Sequence, residues 1–545
     1  MAVKIVHAGL RLGGMAPEER AARRLRDEAA TLPHPSGPRV LILSPRDWAA
    51  HVQWDAMIGQ ALRLRGADVQ LATCGGGLAI CDRANTWEAP PMPCRTCSRY
   101  TGDALTAHGL PPFELTSLAP HVDWPELDGL SLAELQDVED GGLELGSLVK
   151  IPVSWFLMRS DLENDALAPR TYRAFLRSAR RLAVASRALL DQVGPEVVVL
   201  CNGLFLFEAV LWAVCRQRCI PVVTYERGFI KETLVVDTND AAPLFHFDQE
   251  WAVARRRGLT PDEETTLDAY LDDRRHGRRT IDRFWVSPDF AAPRAAIEGG
   301  RLVSLFTNLT WDSAVIGQER AFSGIQEWLA ASVRLFAARP ADRLIIRVHP
   351  AEVKLPGKQT REPMGQVLHD RIGALPPNVR IVAAGDDLSS YPVMEQSDLG
   401  LVYTSTTGLE MAALGKPVVV AGRTHYAGKG FTHDAADPAD FEAIVGRLLD
   451  DPEGGRPDRT LARRYAHFFW FEAPVPSPGV EEHVPGLARL VVRSLHDLGP
   501  GRHPGADRIC DLVLGAAGRG RSDHGDRPPG QQDEGGRGPL DPGLT

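Results

Sequence analysis

Residues 397–434 constrain the fold of this chain more than any other stretch: SDLGLVYTSTTGLEMAALGKPVVVAGRTHYAGKGFTHD. Leu399 to Tyr403 is an apolar run of strand type. Thr404, Ser405, Thr406 and Thr407 place four hydroxyls at its end, and Gly408 allows close approach of a ligand or of backbone. Leu409 to Leu414 reads as a short helix closed by Gly415. Lys416-Pro417 leads into a second strand, Val418 to Ala421. A helix N-terminus has unsatisfied N–H groups, and beside hydroxyls it is a ready place for an anion. Glu410 falls about one turn into that helix, where a carboxylate can accept hydrogen bonds from sugar hydroxyls. The stretch therefore reads as a grip for the diphosphate and ribose of a nucleotide-sugar. The other reading is a capped turn that binds nothing, since Ser/Thr caps are common.

A chain of 545 residues is too long for one ordinary core, so two domains with appendages are expected. Hydrophobic content of 44% and charged content of 24% describe a globular protein. The net charge of −10 argues against a general nucleic-acid binder. No apolar run reaches the about 18 residues of a membrane span. The apolar core of MAVKIVHAGLRLGG is too short for a secretory signal. A cytoplasmic protein is expected, with any membrane contact peripheral, at the inner face.

Four of the eight cysteines cluster as C-x6-C-x12-C-x2-C: Cys74, Cys81, Cys94 and Cys97. In a reducing compartment such clusters suggest metal or redox chemistry. Four thiolates can complete a tetrahedral zinc site, with an iron–sulfur cluster as second choice. Such a metal would be structural, folding loop 74–100. The other reading is a loop of free cysteines acting as small apolar residues.

The chain in order alternates strand and helix. Residues 1–37 read as a peripheral extension. Val40 to Leu43, Asp47 to Arg65 and Val69 to Ala72 form a first βαβ unit, whose βα turn carries Asp47, His51 and Asp55. No Gly-x-Gly-x-x-Gly fingerprint supports a dinucleotide domain. A second unit runs from Val197 to Tyr225 and leads directly into Glu226-Arg227. Open α/β sheets bind ligands at the carboxyl ends of their strands, so Glu226 is a candidate general base; pairing with an arginine is the other reading. The first domain is expected over 38–285, with residues 276–299 as a linker. The second opens with Leu302 to Phe306 and a helix from Asp312 to Ala338. Leu344 to Val348 then ends in His349-Pro350; the proline holds the histidine extended at a strand end, with Arg347 and Lys354 nearby. This imidazole could bond a phosphate or a base edge, or be a surface histidine in a turn. The alternation predicts a parallel, doubly wound domain over 300–455. Residues 456–498 are expected to be helical, and 499–545 mostly a disordered tail apart from a short apolar island, Ile509 to Ala517. His467 to Phe471 is expected to be an aromatic packing seam between the domains.

The segments RVHP (Arg347 to Pro350), TSTTGLEMAALGKPVVV (Thr404 to Val420) and HYAGKGFTHD (His425 to Asp434) resemble the capsular polysaccharide synthesis family of glycosyltransferases, which includes Kdo transferases. In HYAGKGFTHD, Lys429 stands where the family usually has tryptophan and His433 replaces an aspartate. The resemblance implies a GT-B fold: two Rossmann-like doubly wound domains facing a cleft, with the donor held by the second. It implies that His349, with Pro350 and Arg347, meets the nucleotide. Ser405, Thr406 and Thr407 would hold phosphate, Glu410 the ribose, and Lys429 would face the substrate. No catalytic metal is implied. The expected reaction is sugar transfer from a nucleotide-sugar donor to a surface polysaccharide or lipid-linked acceptor, with Glu226 or Asp47 activating the acceptor hydroxyl. A CDP-alcohol phosphotransferase of the teichoic-acid polymerase type, a nucleotide-sugar 2-epimerase and a non-catalytic nucleotide-sugar-binding assembly protein remain as alternatives.

Overall fold

The computed structural model describes residues 17–86, 92–278 and 300–525, apart from 356, 387, 452–453 and 485–486; no side chain is described beyond residue 518. The expected tail beyond 525 and most of the expected linker therefore lie outside the described residues. Two sheets organise the chain. The first contains β1 (Arg39–Leu43), β2 (Asp68–Thr73), β3 (Phe113–Glu114), β4 (Val197–Cys201), β5 (Val222–Arg227) and β6 (Thr233–Thr238). The second contains β7 (Leu302–Phe306), β8 (Arg343–Arg347), β9 (Val379–Val382), β10 (Leu399–Val402), β11 (Val418–Val420) and β12 (His433–Asp434). Later in the chain, β13 (Val475–Pro476) returns to the first sheet, and β14 (Val480–Val484) pairs with β15 (Leu487–Leu490) in a separate hairpin.

The first sheet has the order β13-β6-β5-β4-β1-β2-β3, and the second β12-β11-β10-β7-β8-β9. Every pairing in the second is parallel. In the first, β6 runs antiparallel to β5, and β13 antiparallel to β6. That antiparallel edge follows from a short connection: Gly228 to Glu232 is too short for a crossover helix. Successive residues of β1 show why both sheets are covered on two faces. Leu41 and Leu43 enter the core under the long helix Ala168–Val193. Val40 and Ile42 enter the core under the helices Ala49–Arg63 and Pro504–Gly525. Alternate residues point to opposite faces, and both must be apolar in a doubly wound sheet. The expected α/β architecture of two Rossmann-like domains is what this chain forms.

Several boundaries depart from the expectations. The helices Asp248–Ala254 and Pro261–Arg275 were assigned by sequence to the first domain, yet Trp251, Leu267 and Tyr270 pack in one core with Val402 and Leu409 of the second. The helix expected from Asp312 begins only at Ile325, because residues 308–324 form a loop at the end of β7. Residues 483–497 were expected to be helical and instead hold most of the β14–β15 hairpin. The chain then recrosses: the apolar island of the tail supplies Ile509, Cys510 and Val513, which are buried against the first sheet. The N-terminal helix Pro17–Ala29, expected to be peripheral, buries Ala22, Leu25 and Ala29 in the same core. In the helices Asp248–Ala254, Pro261–Arg275, Pro17–Ala29 and Pro504–Gly525, a short apolar stripe finds its partner far away in sequence, which local periodicity cannot register. Among the described residues, no helix is long and apolar enough to cross a membrane.

Candidate functional site

In each sheet the strand order reverses once. In the first, the chain moves outward from β1 to β2 and β3, and in the other direction from β4 to β5 and β6. The crevice at such a reversal, outside the carboxyl ends of the two central strands, is where open α/β sheets bind ligands. It lies between β1 and β4 in the first sheet, and between β7 and β10 in the second.

The two carboxyl edges meet. Trp155, on the helix Lys150–Leu157 of the first domain, packs edge-on against Trp311 of the β7 loop at 5.1 Å between ring centres. Asn85, beyond β2, donates to the Gly357 carbonyl at 3.0 Å. The firmest tie is Glu362. Its Oε2 accepts from Ser160 Oγ at 2.8 Å and from Thr310 Oγ1 at 2.6 Å. Its Oε1 accepts from Gln326 Nε2 at 2.7 Å and from the Asp161 N–H at 3.2 Å. With Arg361 paired to Asp165 at 2.7 Å, this contact fixes how the domains face each other. Nothing in the sequence marked Glu362, because its partners come from three separate segments.

At the second crevice, β10 ends in Tyr403-Thr404-Ser405 and β7 in Thr307-Asn308. Ser405 Oγ accepts from the Thr407 N–H at 3.3 Å and donates to Thr407 Oγ1 at 3.1 Å. Among the described residues, Thr404 Oγ1 and Tyr403 Oη are buried without a hydrogen-bond partner. The helix that follows, Thr407–Ala413, has only seven residues, so its dipole adds little and hydroxyls and N–H groups dominate the turn. Gly408 has a structural reason: a Cβ there would lie 2.4 Å from Tyr426 Oη, which donates to the Ser405 carbonyl at 2.5 Å.

His349 is half-buried beside the same crevice, its N–H donating to Thr307 Oγ1 at 3.0 Å. Burial, helped by Arg347, pulls its pKa down to about 4, so it is neutral at pH 7. Pro350 stands at the N-terminal boundary of the short helix Ala351–Lys354.

The structure does not gather every candidate here. Arg347 is buried and donates to the Ala383 carbonyl at 2.6 Å. Glu410, expected to take a ribose, is 3% exposed; Arg274 donates to one oxygen at 2.7 Å and Tyr391 Oη to the other at 2.8 Å. It anchors the helix Pro261–Arg275 to the second domain, and that partner lies 136 residues away in sequence. Lys429 is committed to Asp248, at the start of the other packed helix, rather than to a ligand.

At the first crevice, Glu226 lies within β5, opposite Val235. Asn202 Nδ2 donates to its Oε2 at 2.6 Å, and the Arg227 N–H to its Oε1 at 2.7 Å. Asn202 holds a left-handed backbone conformation, φ 63°, at the end of β4. Such conformations in non-glycine residues collect at functional sites. The Arg227 side chain pairs with Glu482 at 2.5 Å, not with Glu226. Asp47 is paired with Arg83. Asp55 is buried under Tyr225 Oη at 2.6 Å, and burial pushes its pKa up to about 7. Neither aspartate of that turn is left as an open base, whereas Glu226 is half-buried with both oxygens oriented by neutral N–H donors.

The cysteines do not fit a metal. Among the described residues, no three of the Sγ atoms of Cys74, Cys81, Cys94 and Cys97 lie within 4.8 Å of one another. Burial pushes the thiols of Cys74 and Cys97 up, to about 11 and about 12. Cys81 and Cys97 are buried apolar residues, and Cys74 Sγ accepts from the Gly76 N–H at 3.2 Å.

The family model described as "Capsule polysaccharide biosynthesis protein" matches residues 264–444. The segment matched by this capsule-synthesis model starts inside the helix Pro261–Arg275 and ends in the helix Pro438–Asp450, so it follows the packing of the second domain. It contains His349, Ser405 to Thr407 and Glu410. No curated protein matches the chain. Among solved structures, the KpsC beta Kdo 2,4 transferase of Thermosulfurimonas dismutans is 17% identical, covering 59% of this chain and 88% of its own, at a TM-score of 0.34. The UDP-GlcNAc 2-epimerase of Neisseria meningitidis bound to UDP-GlcNAc is 10% identical, covering 88% and 99%, at 0.27. The calicheamicin glycosyltransferase CalG4 is 14% identical, covering 89% and 99%, at 0.28. Superpositions this loose carry no argument about chemistry.

Proposed function

We propose that this chain is a glycosyltransferase that moves a sugar from a nucleotide-sugar to a polysaccharide or glycolipid acceptor of the cell surface. The observation that carries the reading is the opposition of two differently equipped crevices, the second within the capsule-synthesis segment. The donor nucleotide lies at the β7/β10 crevice. Ser405, Thr406, Thr407 and the unpartnered Thr404 hydroxyl face its phosphates, and neutral His349 bonds phosphate or base. The acceptor lies at the β1/β4 crevice. Glu226, oriented by Asn202, removes the proton of the attacking hydroxyl. That oxygen bonds to the anomeric carbon, and the bond from that carbon to the phosphate oxygen breaks. The leaving phosphate is stabilised by turn N–H groups and hydroxyls already in place, so this reading needs no catalytic metal.

The test is a transfer assay with two labels on a panel of nucleotide-sugars, with surface polysaccharide and glycolipid fractions as acceptors. Label from the sugar should enter the acceptor while label in the nucleotide phosphate stays with the nucleotide. Phosphate label in the acceptor would establish phosphotransfer instead. Rearranged sugar without any acceptor would establish an epimerase.

A further inference from the structure

Four rings run in contact from one crevice to the other. Trp48 follows β1 and meets Phe205, which follows β4, at 6.0 Å between ring centres. Phe205 meets Trp155 at 5.0 Å, and Trp155 meets Trp311 beyond β7 at 5.1 Å. Phe205 and Trp311 are buried, as packing rings should be. Trp48 and Trp155 are only half-buried, as is His51, whose ring lies 5.3 Å from that of Trp48. Trp155 also packs on the buried Leu309, Trp311 and Ala351, but core packing does not account for the exposed part of Trp48 beside the crevice.

Most of the charges around these rings sit in ion pairs. The Arg46 guanidinium lies 4.3 Å over Trp48 and is buried between Asp82 at 3.0 Å and Glu208 at 2.5 Å. Asp47 is paired with Arg83, and Arg227 with Glu482. Burial, with Arg227 and Arg46 adding to it, pulls His51 down to about 3, so its ring is neutral at pH 7. Lys358 of the second domain has its ammonium 4.3 Å over Trp155 and bounds the floor on that side. A crevice with paired charges, open ring surface and one oriented carboxylate suits an uncharged ring with an apolar C–H face and hydroxyls on its rim. A pyranose has that shape; a phosphate or a polyanion does not.

We propose that Trp48 and Trp155 form a stacking floor for an uncharged pyranose of the acceptor, which presents one hydroxyl to Glu226. This rests on the glycosyltransferase reading and names the acceptor class for its first crevice.

Saturation-transfer NMR on the full chain tests it, with the methyl β-glycosides of glucose, galactose and N-acetylglucosamine as probes. The expected result is saturation of the C–H protons of one ring face for at least one glycoside. Trp48→Ala should weaken that binding about fivefold or more, and Trp48→Tyr, which keeps a ring, should restore most of it. Circular dichroism establishes that the variants are folded; calorimetry with nucleotides should give unchanged affinity in both. Equal saturation in folded Trp48→Ala, or none of the three glycosides saturated by the wild type, overturns the proposal. So does loss of nucleotide binding in folded Trp48→Ala, because the rings would then belong to the donor. If wild type binds a nucleotide but no glycoside, this inference fails while the glycosyltransferase reading stands. If it binds a glycoside but no nucleotide, the glycosyltransferase reading fails, and the floor stands as a sugar-binding site but not as an acceptor site.

Discussion

The two crevices share one topology and differ in what lines them. At β7/β10 the lining is hydroxyls and N–H groups on a tight turn, with one neutral imidazole beside it. At β1/β4 it is rings, ion pairs that cancel and one carboxylate held by an asparagine. Donor-rich turns suit anions, whereas ring surface with an oriented base suits a neutral nucleophile. The same fold thus supplies two unlike half-sites, and Glu362 holds them face to face.

The largest effect that would break this comparison is expected at Glu226. Glu226→Gln keeps the shape and the Asn202 contact but removes the base, so turnover should fall by about 10²- to 10⁴-fold. Calorimetry should show nucleotide affinity unchanged. Unchanged turnover would remove Glu226 from the mechanism.

The next largest concerns the tie between the halves. Glu362→Ala leaves the side chains of Ser160, Thr310 and Gln326 without their acceptor and should cost about 3 kcal/mol. Thermal unfolding would read the loss. Stability within about 0.5 kcal/mol of wild type would mean that the domain contact is not held there.

Ser405→Ala sharpens the account of the second crevice. It removes the hydroxyl that accepts from Thr407 and donates to it, and nucleotide affinity should fall about three- to tenfold. Sugar binding at the first crevice should not change, and a fall in both would merge the half-sites.

The smallest effect is a pH dependence. His349 has a folded pKa of about 4, below the unfolded value of about 6.5. As pH falls from about 6.5 towards 4, the unfolded chain takes up a proton that the folded chain refuses, so stability drops across that window. His108, fully buried with Nε2 2.8 Å from Gln53 Oε1, is also lowered to about 4 and adds to the same slope. His349→Gln should flatten part of the slope in melts between pH 7 and 4.5. An identical slope would place the response elsewhere.

The strands that build both crevices were legible because each is a short apolar run that ends in turn residues: Val40 to Leu43, Val197 to Cys201, Leu302 to Phe306, Leu399 to Val402. The hydroxyl turn at Thr404 and the histidine at 349 were legible for the same local reason. The partners were not. Glu410 read as a ligand for a sugar until Arg274 came in from a helix assigned to the other domain. Lys429 was taken by Asp248, and Arg347 by a carbonyl of the neighbouring strand end. Spacing suggested a metal at the four cysteines, but spacing says nothing of whether sulfurs converge. Asn202 left one signal, the Asn-Gly pair after a strand, which read only as a turn. What sequence cannot carry is which charges neutralise each other across hundreds of residues, and that decides which groups stay open for chemistry.

The central claim is that the nucleotide belongs to the second crevice alone. Isothermal calorimetry with CMP, CDP, UDP and GDP on wild type, His349→Ala and Glu226→Gln tests it most directly. The account predicts that one nucleotide binds wild type and Glu226→Gln alike, and binds His349→Ala at least about tenfold more weakly. Binding that survives His349→Ala but is lost in Glu226→Gln, or folded wild type that binds none of the four, would contradict it.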